Sequence, residues 1–70
     1  MPQEPPADAC QAEARADWVG RLRSELPPMD PRESWRVYET GDALTEDYSA
    51  WRLNIEIAPD SQRVVRLWCG

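Results

Sequence analysis

Trp51-Arg52-Leu53-Asn54-Ile55-Glu56-Ile57 alternates apolar and polar side chains without a break. A period of two places Leu53, Ile55 and Ile57 on one face of a β-strand and Arg52, Asn54 and Glu56 on the other. One strand cannot bury its apolar face alone, so neighbours are needed. Downstream, Ala58-Pro59-Asp60-Ser61-Gln62 is rich in turn formers, and Arg63 to Trp68 supplies a further strand with Val65 and Leu67 inward. Upstream, Ser34-Trp35-Arg36-Val37-Tyr38-Glu39 also alternates, with Trp35 and Val37 together on one face.

The N-terminal half reads differently. Asp8 is placed to cap a helix, and Gln11 three residues on completes a capping-box pattern. Ala9 to Trp18 contains four alanines and predicts helix, with Gly20 at its end. Arg21 to Leu26 adds a helical turn before Pro27-Pro28 stops it. Residues 27–33 form a proline-containing loop, and residues 1–8 a disordered arm ahead of a single domain over 9–70. The expected class is α+β, one N-terminal helix packed on a small mixed sheet.

Composition narrows the function. The net charge is −5, with eight arginines and no lysine. Arginines scattered among carboxylates do not make the basic patch that nucleic acid or an anionic membrane requires. No apolar run approaches the ~18 residues of a membrane span. Met1-Pro2-Gln3-Glu4 is polar and acidic, unlike a signal peptide; Met1 is read as standing where a leader was removed. Cys10 and Cys69 match no zinc spacing, and without histidine no metal or cofactor is expected. They allow one intrachain pairing, a disulfide worth roughly 4 kcal/mol to so small a domain, or they stay reduced and buried. The disulfide implies a secreted or periplasmic protein.

Residues 40–50, TGDALTEDYSA, join two strands with eleven residues, where a hairpin takes about two to five. A turn signal at Gly41-Asp42 is followed by a stretch without glycine, so the loop is extended and held in shape by other groups. Arg52 and Asn54, just beyond it on the polar strand face, are the candidates to support it.

Together, Cys10, Val19-Gly20, Gly41-Asp42, Arg52-Leu53-Asn54 and Cys69-Gly70 occur in an order that resembles the potato inhibitor I superfamily, which includes eglin. The chain is most similar to the branch of small bacterial and fungal elastase inhibitors, peptidase inhibitor family seventy-eight, over residues 9–70. The resemblance implies a potato inhibitor I-like fold with a long exposed reactive loop, residues 42–49, that binds a serine protease as a substrate does. The family's threonine-x-aspartate pattern falls on Thr45-Glu46-Asp47, which puts the scissile bond between Glu46 and Asp47. Glu46 then enters the specificity pocket, with Leu44 and Thr45 on the acyl side and Tyr48 on the leaving side. Arg52 matches one of two basic braces of that loop; the second, arginine in eglin, is Asn54 here. The chain departs from the pattern at Ser49-Ala50-Trp51, where arginine and proline are frequent. An acidic Glu46 also suits few subtilisin-like or elastase-like enzymes and fits a glutamate-specific one.

Other readings compete. Glu46 and Asp47 can be a plain solvated loop, and Arg52 a plain surface residue. Calcium is disfavoured by the absence of EF-hand spacing, and acid–base catalysis by the lack of histidine, lysine and room for a cavity. Trp18 and Trp35 are assigned to the core; Trp51 and Trp68 are left open as an exposed binding patch. Two classes survive: a monomeric protease inhibitor, and a non-inhibitory binding or structural module with an idle loop.

Overall fold

The computed structural model describes residues 5–70, so the disordered-arm expectation lies partly outside the described residues. Three strands form one sheet in the order β1-β2-β3: β1 (Ser34–Glu39), β2 (Arg52–Ile57) and β3 (Val64–Cys69). β1 and β2 are parallel, pairing Ser34 with Arg52 through Glu39 with Ile57; β2 and β3 are antiparallel. Parallel neighbours need a connection that runs the length of the sheet, here roughly 20 Å for six residues. The long segment between β1 and β2 is that crossover, which explains its length.

The alternating stretch behaves as read: Leu53, Ile55 and Ile57 are at most 1% exposed. Val64, Cys10 and Ala12 complete the buried cluster, and Trp18, Leu26, Trp35, Leu67 and Cys69 pack around it. Val65 corrects the expected inward pair. The ladder slips by one residue between Glu56 and Ile57, so Ile57 faces Val64 and Val65 is the extra residue. A bulge turns that side chain out, and Val65 is exposed while Val64 is buried.

The expected N-terminal helix does not form, and the α+β class is corrected with it. Among the described residues only two single 3₁₀ turns occur, Ala16–Trp18 and Arg23–Glu25. Ten residues are too few to hold an α-helix by propensity alone, and tertiary contacts set the path of this segment. Asp8 and Gln11 have φ of +56° and +64°, outside the right-handed helical region. The Asp8 carboxylate does accept backbone N–H groups, but those of Glu13 and Ala14, five and six residues on, so it closes a wide turn. Cys10 is bonded to Cys69, with Cα atoms 5.6 Å apart. Arg15 lies over the rings of Trp18 and Trp35, at 5.0 and 5.6 Å, and reaches Glu33 at 2.5 Å. Gly20 and Arg21 exchange backbone hydrogen bonds with Val64 at 2.9 Å each. The N-terminal segment is therefore an irregular cover laid on the sheet and stapled at Cys10.

Candidate functional site

The crossover leaves β1 through Gly41, whose φ of +96° suits glycine. The Asp42 carboxylate accepts from the Glu39 amide at 2.8 Å and the Asp42 amide donates to the Glu39 carbonyl at 3.0 Å, closing the turn. Beyond it Leu44 is half-buried, whereas Thr45, Glu46, Asp47 and Tyr48 are exposed. The Arg52 amide donates to the Ser49 carbonyl at 3.0 Å where the chain enters β2.

Asp47 is gripped from two sides. Arg52 Nη1 donates to its carboxylate at 3.0 Å, and Arg52 Nη2 donates to its backbone carbonyl. The Thr45 hydroxyl also donates to the carboxylate. These bonds, the threonine one foremost and the Arg52 one next, hold the Asp47 carboxyl at about 2, below the ordinary 3.8. Between the two gripped residues, the Glu46 carboxylate has no hydrogen bond among the described residues and points its charge to solvent.

Arg52 is itself fixed. Its Nε donates to the Gly70 carbonyl at 2.7 Å, and Gly70 donates back to the Arg52 carbonyl at 3.1 Å. Asn54 is fully buried; its amide nitrogen donates to the Gly70 and Trp68 carbonyls at 2.9 and 3.4 Å. Asn54 therefore does not touch the loop among the described contacts; its carbonyl oxygen accepts from Arg36 Nε at 2.8 Å. Arg36 Nη1 in turn donates to the Thr45 hydroxyl at 3.2 Å and lies 3.7 Å from Asp47 Oδ1. The sequence reading assigned Arg36 no role. Its signal was the alternation of β1, which puts Arg36 beside Asn54 once β1 and β2 are paired in parallel.

A shallow depression of about 210 Å³ lies between residues 45–48 and the group Arg36, Trp68 and Gly70. Trp68 is held there by its indole N–H, which donates to the Tyr38 hydroxyl at 3.0 Å; that hydroxyl donates to Glu56 at 3.0 Å. Thr40 donates to the same carboxylate at 2.7 Å and is the main cause that keeps Glu56 below the usual carboxylate range. Burial is the main cause that raises Tyr38 above the usual phenol. The depression is smaller than the ~300–1,000 Å³ of small-molecule pockets. Nothing here pairs a nucleophile with a base. Asp8 comes near Cys10 and Cys69, but the two sulfurs are joined as a disulfide and are not free thiolate ligands. Of the other aromatic residues singled out, Trp18 and Trp35 pack on the core and Trp51 is exposed.

The arrangement presents a short exposed peptide segment, bent at Glu46, with the side chains on either side of that residue tied to the sheet. The family model described as Peptidase inhibitor I78 family matches residues 10–70. No curated protein and no solved structure gives a significant match.

Proposed function

The chain belongs to the Peptidase inhibitor I78 family, and is thus a protease-binding inhibitor and not an enzyme; from that premise we propose that residues 42–49 inhibit a serine protease as a slowly cleaved substrate, with Glu46–Asp47 as the scissile bond. The mechanism is the one the eglin-like resemblance implies, and it follows from rigidity. A loop already braced by side chains loses little entropy when it pairs with the edge of a protease active site, so binding is tight for a modest area. Glu46 enters the specificity pocket, flanked by Leu44 and Thr45 on the acyl side and Tyr48 on the leaving side.

The observation that carries this reading is the double grip of Arg52 on Asp47, at carboxylate and backbone carbonyl. After attack on the Glu46 carbonyl, Asp47 carries the new amine. A freely hinged loop lets that amine leave. With Asp47 tied to Arg52, the amine stays beside the acyl-enzyme at high effective concentration, competes with water and re-forms the peptide bond. Arg52, anchored through the Gly70 carbonyl, is the positioning residue of that step. An idle loop does not call for such bracing.

The disulfide supports secretion to an oxidising compartment, where a monomer of this kind meets its target. The test is inhibition of subtilisin, an elastase, chymotrypsin and a glutamate-specific protease by the purified protein. Slow, saturable inhibition with a single cut at Glu46–Asp47, and re-formation of intact protein from the cut form by catalytic enzyme, is the expected result. Rapid cutting elsewhere, or no inhibition of any of the four, overturns the assignment.

A further inference from the structure

We propose that Arg36, on β1, is a second positioning residue of the loop, and that buried Asn54 aims it. This rests on the reading of residues 42–49 as the binding loop. Three observations converge. Arg36 and Asn54 are direct partners in the parallel register, and Arg36 Nε is fixed on Asn54 Oδ1 at 2.8 Å. Asn54 cannot swing away, because it is fully buried and its nitrogen is committed to the Gly70 carbonyl at 2.9 Å. The guanidinium plane so oriented puts Nη1 3.2 Å from the Thr45 hydroxyl and 3.7 Å from the Asp47 carboxylate. Thr45 in turn donates to Asp47. The chain Asn54–Arg36–Thr45–Asp47 therefore ties the acyl side of the loop to the sheet, as Arg52 ties the leaving side.

The division has a consequence for chemistry. Arg52 bears directly on Asp47, which lies after the Glu46–Asp47 bond, at both carboxylate and backbone carbonyl. Arg36 instead hydrogen-bonds Thr45, which lies before it, and adds only the longer 3.7 Å contact to Asp47. Both ends of a cut bond are then held to one rigid sheet, and neither can retreat independently. The planar fork is essential to this role, because two nitrogens of one guanidinium serve two acceptors at fixed separation. A lysine ammonium at the same position reaches one acceptor at a time.

The test compares wild type with Arg36→Met, which keeps the half-buried stem, and Arg36→Lys, which keeps the charge. Backbone ¹⁵N relaxation reads loop order without any protease. Order parameters of residues 44–48 are expected to fall from about 0.85 toward 0.6 in Arg36→Met, with Arg36→Lys between, while β2 amides are unchanged. Loop order in Arg36→Met equal to wild type overturns the assignment. If Arg36→Met disturbs β2 as well, Arg36→Lys decides: loosening confined to the loop supports the fork, and none overturns it. Hydrolysis of the Glu46–Asp47 bond by an inhibited protease is expected to quicken roughly tenfold in Arg36→Met, a change of ~1.4 kcal/mol. A looser loop without faster hydrolysis leaves Arg36 as the brace and counts against the inhibitory mechanism instead, so the two readings fail separately.

Discussion

Glu46 and Asp47 are adjacent carboxylates with opposite circumstances, and each carries its own prediction. Glu46 is exposed and, among the described residues, makes no side-chain hydrogen bond, so it is open to whatever the loop meets. An apolar specificity pocket must strip water from that carboxylate without replacing it, which costs several kcal/mol. Glu46→Leu removes the penalty and adds about 1.5–3 kcal/mol of apolar burial. Inhibition constants against subtilisin or elastase should tighten at least tenfold, about 1.4 kcal/mol, and those against a glutamate-specific protease should weaken. If neither moves, Glu46 is not the pocket residue. Asp47 is instead consumed by its neighbours, with its carboxyl at about 2 against an ordinary 3.8. A depressed carboxyl contributes its stabilisation fully above the ordinary value and loses it as pH falls through the depressed one. Loop order should therefore be undiminished above pH 3.8 and fade as pH drops through about 2. An NMR titration of the Asp47 side chain together with loop order checks this; loosening of the loop near pH 4 is the contrary result.

At the scale of elements, the bulge in β3 makes two adjacent valines unequal. Val64 is 2% exposed and packs on Ile57, while Val65 is turned out to 44%. Val64→Thr buries a hydroxyl in an apolar cluster and should cost about 1–3 kcal/mol by chemical denaturation; Val65→Thr should stay within about 0.5 kcal/mol. Equal effects speak against the bulge. The strands were legible because alternation is a local property that burial on one face enforces, and β1 lies at the expected residues 34–39. The slip at Val65 was not, since either valine of a consecutive pair can face inward and only the partner strand decides. The helix failed for a related reason. Alanines, an Asp8 cap and Gly20 are local signals, but Cys10, Arg15 and Trp18 are committed to Cys69, Glu33 and Trp35 far along the chain. Within the candidate site, residues 44–48 and Arg52 were named from the sequence and its resemblance. Arg36 was not, because its meeting with Thr45 depends on the parallel pairing of strands that the loop itself connects.

For the whole molecule, the disulfide substitutes for the secondary structure that the N-terminal segment lacks. That segment packs on the sheet through Ala12, Trp18 and Leu26, with few backbone bonds to it, and Cys10 is its covalent anchor. The chain-entropy model gives a bond of this span about 4 kcal/mol, a large share of the ~5–15 kcal/mol that small domains possess. Replacing Cys10 and Cys69 together by serine should lower the denaturant midpoint steeply and unfold much of the population at physiological temperature; a midpoint equal to wild type contradicts that. Topology adds something that energy does not capture. Cys10 and Cys69 close a covalent ring through 59 positions of sequence, and the crossover lies inside it. A protease that cuts the crossover therefore opens a ring and severs no molecule in two. The product gains one water and sheds no fragment, migrating as one species until its sulfurs are reduced and as two thereafter. Its two new ends stay on one connected chain, so the equilibrium ratio of cut to intact protein, which the protease sets up in either direction, does not change on dilution.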